Sequence, residues 1–505
     1  MKKSLTLAGL AQFGGNALGL VLAVFISVML AARLGAGLES DAFVFGRRII
    51  TGLTEMLSQI LVIFFIPLVV QKMANSATGE IADLRRPLIL TTLVGIAMTA
   101  VLVLLADPIA HLMLPQSTSA KLALSAKVMA AFAVCLPAVL VGTLFAAVLN
   151  AHGGFGGPAL LRQIPRVAIL AMLIWWSGDV VVVAAYGFSV AWFFVAAILA
   201  WLAFISMKTG AADTTTDLAE DATKTRPLVY GIAALLLISG GQGAIWIETY
   251  YAAALGAGQL TLLELSQRLG ALMGNTLGAA LTLPIFALWA RSTGARNYGL
   301  LVRLTLTGLV LLAFMQSFFA LNGENLIDLL YGRGALSEAD QAQLLTIFTL
   351  ITVTPLSVFI MRMVFVWHLT SQNRAVIPGT VLAVLLDLGV RLVLYRMLTP
   401  VLGLSALPVA MGVAPLAVAA LLAAISFRNA PKGPPLGRYK TLPLVALAGI
   451  AGLWSGRTLG LIIAGHWPAS GQGENLAVLS LSGFTGCAFF ALSWIVLRIP
   501  RSFRG

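Results

Sequence analysis

Charge is scarce in this chain. Asp, Glu, Lys and Arg supply 10% of the 505 residues and hydrophobic residues 59%, against the ~25% charged content of an ordinary soluble domain. With a mean hydropathy of +0.97, a water-soluble fold is excluded. Cysteine is nearly absent: Cys135 and Cys487 both lie in apolar runs, so neither a disulfide framework nor a thiolate metal site is expected, and both read as small buried hydrophobes. The four histidines, His111, His152, His368 and His466, are scattered, and the chain contains no H-E-x-x-H and no Gly-Lys dipeptide. Without the latter there is no nucleotide-binding loop of the G-x-x-x-x-G-K type, and direct ATP hydrolysis is not indicated. The Gly-rich "HGGFGGP" reads as a flexible connection rather than a phosphate cradle. No metal and no cofactor are expected. No connection is long enough to carry the clustered acids of a membrane-embedded glycosyltransferase, and "QKMANSATGEIADLRRP" lacks the G-x-x-x-D-R-x-G-R-R-like loop of twelve-helix sugar facilitators.

What the chain does have is a succession of apolar runs, each long enough to cross a ~30 Å hydrocarbon core. About fourteen are legible, from the one following Met1-Lys2-Lys3, read as an uncleaved first helix rather than a secretory signal, to the one before the basic tail. The fold class is therefore an all-α polytopic membrane protein. The net charge of +13 encodes topology rather than nucleic-acid binding. Lys72, Arg85, Arg86, Arg162, Arg166, Lys208, Lys224, Arg226, Arg291, Arg296, Arg374, Arg428, Lys432, Arg438, Lys440, Arg498, Arg501 and Arg504 fall on one side of the membrane, whereas Lys121, Arg333 and Arg396 fall on the other. By the positive-inside rule both termini are cytoplasmic.

The chain also repeats itself. "LGAGLESDAFVFGRRI" begins at Leu34 and "LGAGQLTLLELSQRLG" at Leu255, 221 positions later, and each places an arginine thirteen residues on, Arg47 and Arg268. "LNAHGGFGGP" and "LTSQNRAVIP" end 220 positions apart, at Pro158 and Pro378. Two polar linkers follow a similar spacing. The implied organisation is an N-lobe over 1–207, a cytoplasmic linker over 208–226, a C-lobe over 227–427, a second linker over 428–440, and two further helices with a basic tail over 441–505. Six crossings per repeat, an even number, give both lobes the same orientation, the parallel-repeat plan of transporters whose substrate site lies between the repeats.

Ionisable residues inside apolar helices are costly unless they face a cavity or a partner, so they are functional candidates. Arg47 and Arg48 lie early in the second segment, and Arg268 lies in the eighth with Glu264 four residues before it, a spacing that permits an ion pair. The pseudo-symmetry predicts Arg47 and Arg268 at equal depth on two walls of one cavity, where guanidinium forks suit phosphate oxygens. The competing reading is snorkelling or neutralisation of local acids. Asp41 fits either a helix cap or a gate. Asp387 with Arg391, and Glu248 near Gln242, either couple an ion or neutralise a neighbour, and for Asp387 with Arg391 the structural pair is preferred. Arg362 and Arg457 are intramembrane without an assigned role.

"LGAGLESDAF", "LNAHGGFGGPA", "SQRL" with "LTLPIFALWAR", and "LLYGRGALSEAD" resemble the lipid II flippase (MurJ/MviN) family of the multidrug/oligosaccharidyl-lipid/polysaccharide (MOP) exporter superfamily. The resemblance implies fourteen helices in two six-helix lobes plus two C-terminal helices. It also implies a flippase, not an enzyme, in the bacterial cytoplasmic (inner) membrane, acting on a lipid-linked glycan precursor for peptidoglycan. Arg268, Asp41 and Arg48 match family positions; Glu248 and Asp387 stand where some members bind a cation, which makes a monovalent cation or the membrane potential the coupling candidates. Membrane lipids and cell-envelope synthesis proteins are the implied partners, with no nucleic acid. The family's first helix usually carries arginines, but here "GGNALGLVLAVF" has Asn16 and no arginine before Arg33, a later arginine position falls near Thr54, and the family's Pro and Asn of the fifth helix are Arg162 and Arg166. These departures keep a polyprenyl-linked oligosaccharide for an exported polysaccharide open as an alternative cargo; a drug exchanged for cations is a second alternative, and the two extra helices count against it.

Overall fold

The computed structural model describes residues 2–62, 82–151, 156–208, 227–271, 295–370, 376–426, 442–466 and 471–496. Most of both polar linkers, the glycines of "HGGFGGP" before Gly156, "LTLPIFALWAR" and the basic tail lie outside them. Among the described residues the chain is all-helical, as a bilayer requires: with no water to satisfy backbone groups, each crossing segment must satisfy its own.

The elements are α1 (Lys2–Leu34), α2 (Leu38–Ile60), α3 (Ala82–Leu104), the short α4 (Ala106–Met113), α5 (Ser119–Ala133), α6 (Leu136–Ala151), α7 (Gly156–Leu161), α8 (Ile164–Trp175), α9 (Val180–Lys208) and α10 (Pro227–Ala254). Then come α11 (259–271), α12 (Ala295–Tyr331), α13 (Glu338–Ile351), α14 (Thr354–Thr370), α15 (Val376–Leu402), α16 (Ala406–Ser426), α17 (Leu442–His466) and α18 (Gly471–Val496). Among the described residues, with α5–α6, α7–α8 and α13–α14 each taken as one broken segment and the eight-residue α4 too short to cross, there are fourteen helical segments. Among the described residues, eleven stretches are long and apolar enough to span by composition, one of which, Val376–Ser426, holds both α15 and α16. The breaks follow from proline, which cannot donate to the preceding turn. Pro137 sits just inside α6 and Pro355 just inside α14, 218 positions apart. The two broken crossings also start alike, with Thr118 capping α5 through Lys121 N at 3.3 Å and Ser337 capping α13 through Asp340 N at 3.1 Å. The two broken crossings thus share a local geometry.

The chain forms two compact units, Met1–Thr261 and Leu262–Gly505. In the first, α2 is enclosed: every residue from Ser40 to Ile50 is buried. Gly46 makes this possible, since a Cβ there would stand 2.9 Å from the backbone nitrogen of Met129 on α5. An aromatic ladder, Phe43–Phe132–Phe188–Trp192, joins α2, α5 and α9 with centroid spacings of 5.5, 5.3 and 6.4 Å. Helix α10, which opens the second sequence repeat, packs in this unit against α2. The outer helices invert the soluble rule. Leu90, Leu93, Ile96 and Leu104 of α3 and Phe194 and Trp201 of α9 are exposed, which lipid tolerates and water does not.

In the second unit, the hairpin of α17 and α18 packs on α12. Phe314 and Phe490 stack at 4.8 Å. Asn322 Nδ2 donates to Ser482 Oγ at 3.0 Å and Asn325 Nδ2 to Asn475 Oδ1 at 2.7 Å, and Asn475 Nδ2 donates to Asp328 Oδ2. At the ends of α14, α15 and α16, the buried His368 ring bonds Ser426 Oγ at 2.7 Å and the Val376 carbonyl at 3.1 Å.

Candidate functional site

Asp41 lies in the first turn of α2, where an acid favours the helix dipole. Its carboxylate does not cap its own helix. That task falls to Ser40, whose Oγ accepts from Gly37 N at 2.9 Å. Asp41 instead reaches the start of α11. Its Oδ1 accepts from Thr261 N at 2.9 Å and from Thr261 Oγ1 at 2.7 Å, and its Oδ2 from Gly258 N at 2.8 Å. The orphan amides of a helix N-terminus are therefore satisfied by an acid more than two hundred residues away in sequence. Oδ2 also accepts from Lys121 Nζ at 2.7 Å. Asp41 is 0% exposed and Lys121 4%. A charge so buried is tolerable only when paired and hydrogen-bonded, and this one is both.

The two LGAG turns meet here. Gly258 adopts φ +82°, a left-handed conformation that favours glycine, and a Cβ on it would lie 2.7 Å from the carbonyl oxygen of Ala36 in the other copy. Ser40 and Thr261 hold the same place in the two copies, and Thr261 Oγ1 and Ser40 Oγ lie 3.1 Å apart. Asp41 is matched by Leu262, so the acid is present in one copy only.

Two turns further along α2, Arg47 and Arg48 are both buried, and the Arg47 guanidinium lies 5.5 Å from the Phe43 ring centroid, a cation–π distance. On α10, Glu248 is buried; Gln242 reaches α2, donating from Nε2 to Glu55 Oε2 at 3.4 Å. These residues belong to the first unit. In the second, Arg268 Nε donates to Glu264 Oε1 at 2.7 Å, with the Arg268 side chain one-third exposed and Glu264 buried. On α15, Arg391 Nε donates to Asp387 Oδ2 at 2.9 Å. Arg362 lies on α14 and Arg457 on α17. Both cysteines are free thiols; Cys135 is buried as expected, whereas Cys487, expected to be buried, is exposed. No group of three or more His, Cys, Asp or Glu residues able to hold a metal occurs among the described residues.

Lys121, Thr261, Gly258 and Glu55 were not singled out from sequence; Lys121 counted only as a charge in an outer connection. One signal pointed to it. A lysine in the first turn of a helix opposes the dipole, and in an apolar setting that calls for an anion nearby.

An all-helical chain of apolar segments, with charge buried where its two LGAG turns meet, is by class a polytopic membrane protein. Solved structures agree on the fold. An inward closed form of the lipid II flippase MurJ is 13% identical with TM-score 0.73, covering 97% of this chain and 99% of that one. An inward-facing MATE multidrug resistance transporter of the MOP superfamily is 14% identical with TM-score 0.65, covering 82% and 96%. A MOP superfamily transporter from Pyrococcus furiosus is 16% identical with TM-score 0.56, covering 84% and 95%. No curated protein matches the sequence. The family model described as lipid II flippase MurJ matches residues 30–468. The chain belongs to the lipid II flippase MurJ family, and it is a transporter, not an enzyme.

Proposed function

We propose that this chain carries lipid II, an undecaprenyl-pyrophosphate-linked peptidoglycan precursor, across the bacterial cytoplasmic membrane by alternating access, with both termini cytoplasmic. The family match over residues 30–468 carries the cargo. The fold likeness to MATE transporters bears on architecture alone, so neither a drug nor an exported polysaccharide precursor is favoured. Arg47, Arg48 and Arg268 engage the pyrophosphate, while the lipid tail stays in the bilayer. Holding Arg268 by Nε leaves its two terminal amino groups for phosphate oxygens, and Glu264 fixes the side chain so that little rotamer entropy is lost on binding.

Asp41 acts as a latch in this cycle. While the turns are in contact and dry, four donors meet one carboxylate. Parting them admits water to the carboxylate and to Lys121, which replaces the lost bonds, so the two forms differ by only a few kcal/mol, as a working equilibrium requires. Glu248 and Asp387 are the coupling candidates for a monovalent cation, and a membrane potential contributes about 2.3 kcal/mol per charge per 100 mV moved across it. Delivery at the outer face makes the enzymes that polymerise the precursor the downstream partners.

The test is rescue of a cell depleted of its own lipid II flippase, read as growth and as outward appearance of lipid II, with wild type compared with Arg268→Ala. Rescue by wild type and loss with a well-inserted Arg268→Ala protein supports the reading. No rescue by well-inserted wild type refutes lipid II as cargo.

A further inference from the structure

The first unit carries a cavity of about 530 Å³ at one end of α3, α6 and α9, far along the chain from Asp41 and from α2. Its walls are Leu88 of α3, Phe145 of α6, and Trp201, Phe204 and Met207 of α9, all apolar, and the one charged group lining it is Arg85. Behind those walls lies a well-packed layer, in which Ala146, Leu149, Leu199 and Ala203 are buried; the lining residues Leu84, Phe145 and Met207 belong to the same cluster. The groove therefore has a built floor. Arg85 is exposed in the first turn of α3, with Arg86 beside it, also exposed. Among the described residues Arg85 makes no ion pair.

The position relative to the bilayer fixes what can fill this groove. α3 begins its apolar stretch at Leu84 and α9 ends its own at Met207, so both terminate at one membrane face, the cytoplasmic one by the positive-inside rule. Trp201 is 63% exposed and lies about 9 Å along α9 from Met207, toward the membrane interior. An apolar slot open to lipid, with a cation at its mouth and an exposed indole further in, matches a chain of methylenes attached to a phosphate.

We infer that this groove is a site for one anionic glycerophospholipid of the cytoplasmic leaflet, with an acyl chain along Leu88, Phe145, Phe204 and Met207 and the phosphate on Arg85. Acyl packing alone discriminates poorly, because the surrounding lipid offers the same apolar contact. Selectivity for negative headgroups comes from Arg85, with Arg86 adding to the local field. The site is independent of the substrate reading above.

The experiment uses the full chain in bilayers containing phosphatidylglycerol or phosphatidylcholine with brominated acyl chains, diluted with their unbrominated forms. Quenching of Trp201 is read as the difference between wild type and Trp201→Phe. The expected result is a preference for phosphatidylglycerol of about five-fold, the equivalent of ~1 kcal/mol per cation near an anionic surface. Arg85→Gln abolishes that preference, Arg85→Lys keeps most of it, and Ala200→Leu, which fills the groove from α9, lowers quenching by both lipids. Equal quenching by the two lipids in wild type, or a preference untouched by Arg85→Gln, overturns the proposal. So does displacement of phosphatidylglycerol by undecaprenyl phosphate at equal concentration, which would give the groove to the substrate lipid.

Discussion

Replacing Asp41 by asparagine keeps its size and removes its charge. The four donors on the carboxylate are Lys121 Nζ, Gly258 N, Thr261 N and Thr261 Oγ1, at 2.7 to 2.9 Å. An asparagine oxygen can serve the two Thr261 donors, but its NH₂ then faces Gly258 N and Lys121 Nζ, donor against donor. Lys121, only 4% exposed, is left as a buried cation without its anion. Breaking one side of a buried pair costs about 3–5 kcal/mol. The latch exists only while the turns touch, so the whole cost falls on that form. If contact is favoured by about 3 kcal/mol, roughly a hundred to one, its loss brings the two forms to comparable populations. The assay is the spin-label distance between Glu39→Cys and Ala257→Cys, both exposed and one on each turn, with Cys135 and Cys487 replaced by serine. Wild type is expected to give one short distance, and Asp41→Asn a second, longer population of similar size. Adding Lys121→Met, which removes the stranded cation, restores part of the short population. An unchanged distance distribution in Asp41→Asn refutes the latch.

Gly258→Ala attacks the same contact through the backbone. At φ +82°, with a Cβ 2.7 Å from the Ala36 carbonyl, it costs about 1–2 kcal/mol or more from conformation alone and lowers the thermal midpoint while lengthening the same spin-label distance. Glu264→Gln removes the anion that Arg268 holds at 2.7 Å; a soluble pyrophosphate probe is expected to bind several-fold tighter by calorimetry, whereas transport slows because release is harder. Arg391→Ala strands the Asp387 carboxylate and reduces folded yield, whereas Asp387→Asn with Arg391→Gln recovers it. Normal transport by that double variant makes the pair structural, and lost transport by a folded double variant makes it a coupling site.

The crossings were legible because a bilayer leaves the chain little choice: an apolar run of sufficient length becomes a helix. The likeness of the two turns was legible because "LGAG" recurs 221 positions on. The pairs Glu264–Arg268 and Asp387–Arg391 were legible for a local reason, since four residues on a helix bring two side chains to one face. Asp41 was found, but not its partners. Lys121 is 80 residues away and Gly258 and Thr261 are 217 and 220 away; periodicity carries no information about such contacts. The reading of Asp41 as either cap or gate assumed that a cap serves its own helix, whereas here it serves another. The apolar groove beside Arg85 was equally hidden, because it arises where three separately apolar helices fail to fill the space between them.

The meeting of Ser40 with Thr261 bears on how such a protein can arise. A duplicated segment begins as two identical turns, and identical turns that touch would present acid to acid or leucine to leucine at the next position. Two carboxylates there would repel, and two leucines would hold no helix end. With Asp41 in one copy and Leu262 in the other, one copy supplies the acceptor and the other the donors, so divergence at this position of the two turns converts a symmetric contact into a polar fastening. Exchanging the two side chains, Asp41→Leu with Leu262→Asp, asks whether the fastening belongs to the halves or only to their difference.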